Sequence, residues 1–125
     1  MVNETVNLQR ARALLDIIQS TLDNNKAFDV VTVNLDGKTD IAYYMVVASG
    51  MSSRHVGALA EKLAEAVRKT GLSEISIEGL PEGDWVVMDN PYVVVHLFRP
   101  EAREYYNLEK MWQADFSEAQ HVAYV

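Results

Sequence analysis

Ser49, Gly50, Ser52 and Ser53 stand between an apolar run ending at Ala48 and an amphipathic stretch beginning at Val56. A strand-to-helix turn there would aim backbone N–H groups and hydroxyls at a small anion. The same residues serve equally as a helix cap, and the chain contains neither a GxGxxG nor a GxxxxGKS/T string. Two carboxylates, Glu74 and Glu78, flank Ile75-Ser76-Ile77. At roughly 3.3 Å per strand residue they would lie about 13 Å apart, too far to share one ion held at about 2.1 Å. His55, His96 and His121 are scattered, without the helical pair and glutamate of a zinc hydrolase. His96 shares strand parity with Val94 and Phe98 and reads as a satisfied, largely buried histidine. A serine–histidine hydrolytic pair can be drawn on paper, but no GxSxG nucleophile elbow supports it. The aromatic residues Trp85, Tyr92, Tyr105, Tyr106 and Trp112 remain, with the contact area to anchor an interface or to fill a core.

The 125 residues, 49% of them hydrophobic, fit one domain that needs no metal or disulfide staple. Cysteine is absent, which removes thiol nucleophiles and cysteine-based metal sites and makes a reducing, cytoplasmic setting the default expectation. The N-terminal residues carry Glu4, Arg10 and Arg12 without a long apolar core, so no targeting segment is expected. The apolar stretches fall short of the roughly 20 residues that span a bilayer, so no membrane association is expected. The net charge of −7 opposes docking on phosphate backbones and makes a basic protein the more natural partner than nucleic acid. Asp84, Asp89, Glu101 and Glu109 are the candidate partners for its lysines and arginines.

These groups need elements to position them. Leu8, Ala11, Leu15, Ile18 and Leu22 recur in helical steps and predict a first helix ending near Asn24-Asn25. Phe28 to Leu35 alternates as a strand with Val31, Val33 and Leu35 on one face, followed by an Asp36-Gly37 turn. Ile41 to Ala48 is apolar on both faces, as expected of the middle of a sheet. Ser52 or Ser53 caps a second helix with Val56, Leu59, Ala60, Leu63 and Val67 on its buried stripe, closed by Arg68, Lys69 and Gly71. With Ile75-Ser76-Ile77 as the next strand, this is a βαβ unit with a right-handed crossover and a parallel pair. Trp85–Met88 and Tyr92–Phe98 form an antiparallel hairpin about Asp89-Asn90-Pro91. Pro100 starts a short helix carrying Tyr105 and Tyr106, and Asn107 caps a further turn reaching Trp112. The expected architecture is α/β, one domain over residues 1–112 with a mixed sheet of about five strands flanked by helices, and a tail over 113–125. The strand–Gly-Ser–helix order is similar to that of nucleotidyltransferases, but Ser76 stands where their second magnesium carboxylate belongs.

Five segments carry a closer resemblance: Ser49-Gly50-Met51-Ser52-Ser53-Arg54-His55, Glu78-Gly79, Trp85-Val86-Val87-Met88-Asp89, Val93-Val94-Val95-His96-Leu97-Phe98 and Arg103 through Trp112. In order and spacing they resemble the ribosomal silencing factor, or Iojap, family over about Leu8 to Trp112. The resemblance implies a translational repressor that binds large-subunit ribosomal protein fourteen and blocks subunit joining under nutrient limitation, with no enzymatic activity and no cofactor or metal. It carries over Tyr44, Ser49, Gly50, Ser52, Glu78, Gly79, Trp85, Asp89, His96, Phe98, Arg103, Tyr105, Leu108, Glu109 and Trp112. The residues expected to bind the ribosomal protein are Trp85, Asp89, Tyr105, Glu109, Tyr44 and Trp112. A large-subunit assembly factor and a nucleotidyltransferase-like enzyme stay open as alternatives, as does a homodimer of the unbound protein. The chain departs from the family pattern twice. Tyr43 replaces an aspartate before Tyr44, and Pro91-Tyr92 replaces a Gly-Asp pair, each removing an acidic group from near the expected contact surface.

Overall fold

The computed structural model describes residues 2–107. Helix α1 spans Val2–Asn24. Strands β1 (Phe28–Asn34) and β2 (Tyr44–Ser49) lead into helix α2 (Ser53–Arg68). Strands β3 (Ser76–Glu78), β4 (Trp85–Asp89) and β5 (Val93–Phe98) follow, and helix α3 spans Pro100–Tyr106. The α/β expectation holds, with one mixed sheet in the order β1-β2-β5-β4-β3.

The sheet order corrects two expectations. β2 and β3 do not pair: the parallel neighbour of β2 is β5, and β3 lies at the far edge, antiparallel to β4. The middle strand is therefore β5, and β2 stands one place toward the edge. Burial alone does not separate β2 from β5, since both are buried on two faces, β5 except at half-buried His96, and both have a neighbour on each side. β3 alternates exposed Ser76, half-buried Ile77 and exposed Glu78, a composition that tolerates an edge. The β4–β5 hairpin then folds back to place β5 beside β2.

Helices α1 and α2 cover one face of the sheet. The observed α1 stripe is Ala11, Leu14, Ile18 and Leu22, with Leu15 at its margin. Both Leu14 and Leu15 fit steps of three and four from Ala11 to Ile18, and packing selects Leu14. The α2 stripe is Val56, Leu59, Ala60, Leu63 and Val67 as expected, extended by Ala64. Gln19 Nε2 donates to Thr32 Oγ1 (2.9 Å) and ties α1 to β1. Buried Asn90 shapes the β4–β5 turn: its Oδ1 accepts from the N–H groups of Tyr92 (2.8 Å) and Val93 (2.9 Å), and its Nδ2 donates to Val93 O (2.7 Å). Asn107 closes α3 in the left-handed region at φ 51°, its N–H donating to Arg103 O. The further turn expected beyond it, the boundary at 112 and the tail lie outside the described residues.

Candidate protein-binding face

Strand parity distributes the motif residues between the two faces. Val86 and Met88 of β4 and Val93, Val95 and Leu97 of β5 point into the cluster under α1 and α2. Trp85, Val87 and Asp89 alternate with them and point the other way, as do Val94, His96 and Phe98. Register then builds rows across the second face. Trp85 lies opposite Phe98 and Phe98 opposite Ser49; Val87 lies between Glu78 and His96, and His96 opposite Val47. Among the described helices only α3 packs on this face, through Ala102 and Arg103. Buried Arg103 donates from Nη1 to Ser49 Oγ (2.8 Å), joining two motif segments more than fifty residues apart in sequence.

Three rings form the centre. Trp85 stacks on Phe98 with centroids 5.2 Å apart and an interplanar angle of 23°. His96 lies 5.9 Å from Trp85 and 6.3 Å from Phe98. The Trp85 Nε1–H donates to His96 Nδ1 (3.0 Å). Burial lowers the His96 pKa from 6.5 to about 4 because the imidazolium would lose hydration, which keeps Nδ1 an acceptor at neutral pH. The unfolded chain takes up a proton below about pH 6.5 while the folded one waits until about pH 4, so stability is complete above that window and falls as pH drops through it. The expected loss is about 2 kcal/mol after allowing for the ring's partial exposure. Urea unfolding of the protein and of its His96→Asn variant at pH 7.5 and 4.5 checks this: the difference in stability between the two should shrink or reverse in acid by that amount.

The residues expected to bind a partner are not all brought together. Trp85 is half-buried and Asp89 exposed on the same face, and Tyr105 on α3 is 81% exposed. Tyr44 faces the α1 and α2 side, 8% exposed within the core, and does not join them. Glu109 and Trp112 lie outside the described residues. Asp84 and Glu101 are already engaged by Arg99, at 2.8 Å and 3.6 Å, whereas Asp89 has no ion pair among the described residues. The two departures from the family pattern meet: the Tyr43 N–H donates to Tyr92 O (3.0 Å), and both rings pack on the helix-covered cluster rather than beside Trp85.

The anion-site alternative fares poorly. At the start of α2 the Met51 N–H donates to His55 Nδ1, the His55 N–H to Ser52 Oγ and the Val56 N–H to Ser52 O, so three of the N–H groups at this turn already have partners within it. The His55 ring also spans to Asn25 O at 2.9 Å, which leaves it bonded to backbone rather than to a serine hydroxyl. Glu74 precedes β3, so Glu74 and Glu78 are not an alternating pair on one strand. The Arg103–Ser49 and Trp85–His96 bonds went unread in the sequence. Only the hairpin, whose turn pairs Trp85 with Phe98 and Val87 with His96, carried a signal for the second of them.

The mixed sheet, with α1 and α2 on one face and α3 beside a cluster of rings on the other, defines an α/β protein. Residues 8–124 match the family described as "Ribosomal silencing factor during starvation", and the chain belongs to that family. A ribosomal silencing factor of Zymomonas mobilis is 48% identical over 99 residues, covering 79% of this chain and 74% of that protein. A mouse protein named "Mitochondrial assembly of ribosomal large subunit protein 1" is 32% identical over 101 residues, 78% of this chain but 44% of its own length. A crystal structure of a Chromobacterium violaceum protein superposes with a TM-score of 0.78 and 28% identity, covering 91% of both chains. No helix among the described residues is long and apolar enough to cross a membrane.

Proposed function

We propose that this chain binds the large ribosomal subunit through ribosomal protein fourteen and, by occupying the intersubunit side, keeps the small subunit from joining. In this reading it acts in the cytoplasm as a translational repressor under nutrient limitation, without catalysis or cofactor. The observation that carries it is the convergence of separate motif segments on the sheet face opposite α1 and α2, where Trp85, His96 and Phe98 form a ring cluster flanked by exposed Asp89. Family membership supplies the ribosomal target. Trp85, Asp89 and Tyr105 are the proposed contacts, with Glu109 and Trp112 beyond the described residues; Tyr44 is set aside because its ring is buried in the core. The acidic balance favours a basic protein over RNA as the surface met.

Sucrose-gradient sedimentation of purified subunits tests the reading. The protein is expected to comigrate with large and not small subunits, and at saturation to reduce the joined peak stoichiometrically. Normal joining with saturating protein bound would remove the steric mechanism. The mouse relative's name favours a second reading, action on large-subunit precursors during assembly. Binding to precursors but not to mature large subunits would favour it.

A further inference from the structure

His96 is a half-buried polar ring in a strand otherwise made of Val93, Val94, Val95, Leu97 and Phe98. A valine or leucine there would fill the row between Val87 and Val47 without burying a polar nitrogen. The imidazole does what an aliphatic side chain cannot: it offers an acceptor at 3.0 Å to the Trp85 Nε1–H. An indole nitrogen can only donate, so an acceptor fixed on the neighbouring strand selects among the orientations its two side-chain torsions allow. Phe98, stacked behind Trp85 at 5.2 Å, sets the tilt of the ring.

We infer that His96 is a positioning residue for partner binding, holding the Trp85 indole through its Nδ1 in the orientation that a docking surface meets. The inference rests on the proposed reading of this face as the ribosome-binding one, and it adds a residue that acts through Trp85 rather than by contact of its own. A ring held before the encounter loses less freedom on binding, so the benefit appears as affinity. Burial supports the role, because an imidazole that resists protonation stays an acceptor throughout the neutral range.

The test measures affinity for purified large ribosomal subunits in the wild type, His96→Phe, His96→Asn, Trp85→Ala and the double variant Trp85→Ala with His96→Phe. Phenylalanine keeps a ring on the Phe98 stack and removes the acceptor; asparagine places a carbonyl near the Nδ1 position. His96→Phe is expected to weaken binding about fivefold to tenfold and His96→Asn by less than about threefold. In the Trp85→Ala background His96→Phe should add no further loss, because nothing remains to position. The Trp85 indole N–H resonance, assigned by its absence in Trp85→Phe, should exchange with solvent faster in His96→Phe and near the wild-type rate in His96→Asn. Wild-type affinity in a folded His96→Phe, an undiminished loss in the double variant, or a folded His96→Asn as weak as His96→Phe would each overturn the inference. If His96→Phe does not fold, the His96→Asn affinity and indole exchange rate decide, with loss of both overturning it. Trp85→Ala separates the two claims: unchanged binding in that variant overturns the interface reading and this inference with it, whereas weakened binding alongside an unaffected His96→Phe overturns the inference alone.

Discussion

Replacing Trp85 with alanine is expected to weaken binding to large ribosomal subunits by about 2–4 kcal/mol, roughly 30-fold to 1,000-fold. The indole is half-buried, with one face stacked on Phe98. Rings fixed in this way lose little entropy on binding and are over-represented among residues that dominate interface energies. Because the ring also covers Phe98, some loss of stability accompanies the substitution. Circular dichroism and a thermal melt separate the effects: a folded variant with weakened binding supports the interface role. A variant that is unfolded under the binding conditions would place Trp85 in the structural core, and a folded one that binds as the wild type would remove this face from consideration.

Gly79→Ala is expected to destabilise the fold by about 3 kcal/mol or more. Gly79 follows β3 at φ 104°, a backbone conformation that residues with a Cβ rarely adopt. A Cβ there would lie 2.1 Å from the Trp85 carbonyl oxygen and 2.9 Å from the Val86 Cα, both backbone atoms at the start of β4. Relief requires β4 to shift, and β4 is held by β5 on one side and β3 on the other. Trp85 would move with it, so the variant should lose affinity for large subunits in proportion to the strand's displacement as well as stability. Urea denaturation measures the first effect. Gly71→Ala is the control, since Gly71 also has positive φ (97°) but open space around its missing Cβ, and it should cost only about 1 kcal/mol. Equal losses at the two glycines would show that conformation, not the close approach to β4, governs position 79.

The departures at Tyr43 and Tyr92 bear on how far the proposed contacts extend. Their backbones are joined and their rings rest on the helix-covered cluster, so the acidic groups they replace do not leave a gap beside Trp85. Asp89 and Glu78 are exposed carboxylates on the ring-bearing face. Asp84 and Glu101, equally acidic in sequence, hold Arg99 at the junction of β5 and α3 instead. That ion pairing is local in space but fifteen residues apart in sequence for Asp84, and charge alone could not distinguish the carboxylates that Arg99 engages from Asp89, which has no ion pair among the described residues.

Features set by short-range spacing were legible in the residues alone. The α2 stripe, its serine cap, the Asn90-centred hairpin and the proline start of α3 each depend on neighbours within a few residues, and each appears in the structure where spacing put it, with Ser52 rather than Ser53 as the cap. The motif order was likewise enough to indicate the family. The tertiary structure decided what depends on competition between distant segments. Strand order was one such matter: Ile41 to Ala48 and Val93 to Phe98 are both apolar on two faces, and only hairpin closure showed that β5 takes the middle while β3 goes to the edge. The composition of the candidate face was the other. Periodicity marks residues that share a face of one element, but whether Tyr44 or Met45 joins Trp85 depends on the register between β2 and β5, and a shift by one residue would exchange them. The bonds that organise the face, Trp85 to His96 and Arg103 to Ser49, cross between strands or between helix and sheet, and they exist only once packing has brought those partners within 3 Å.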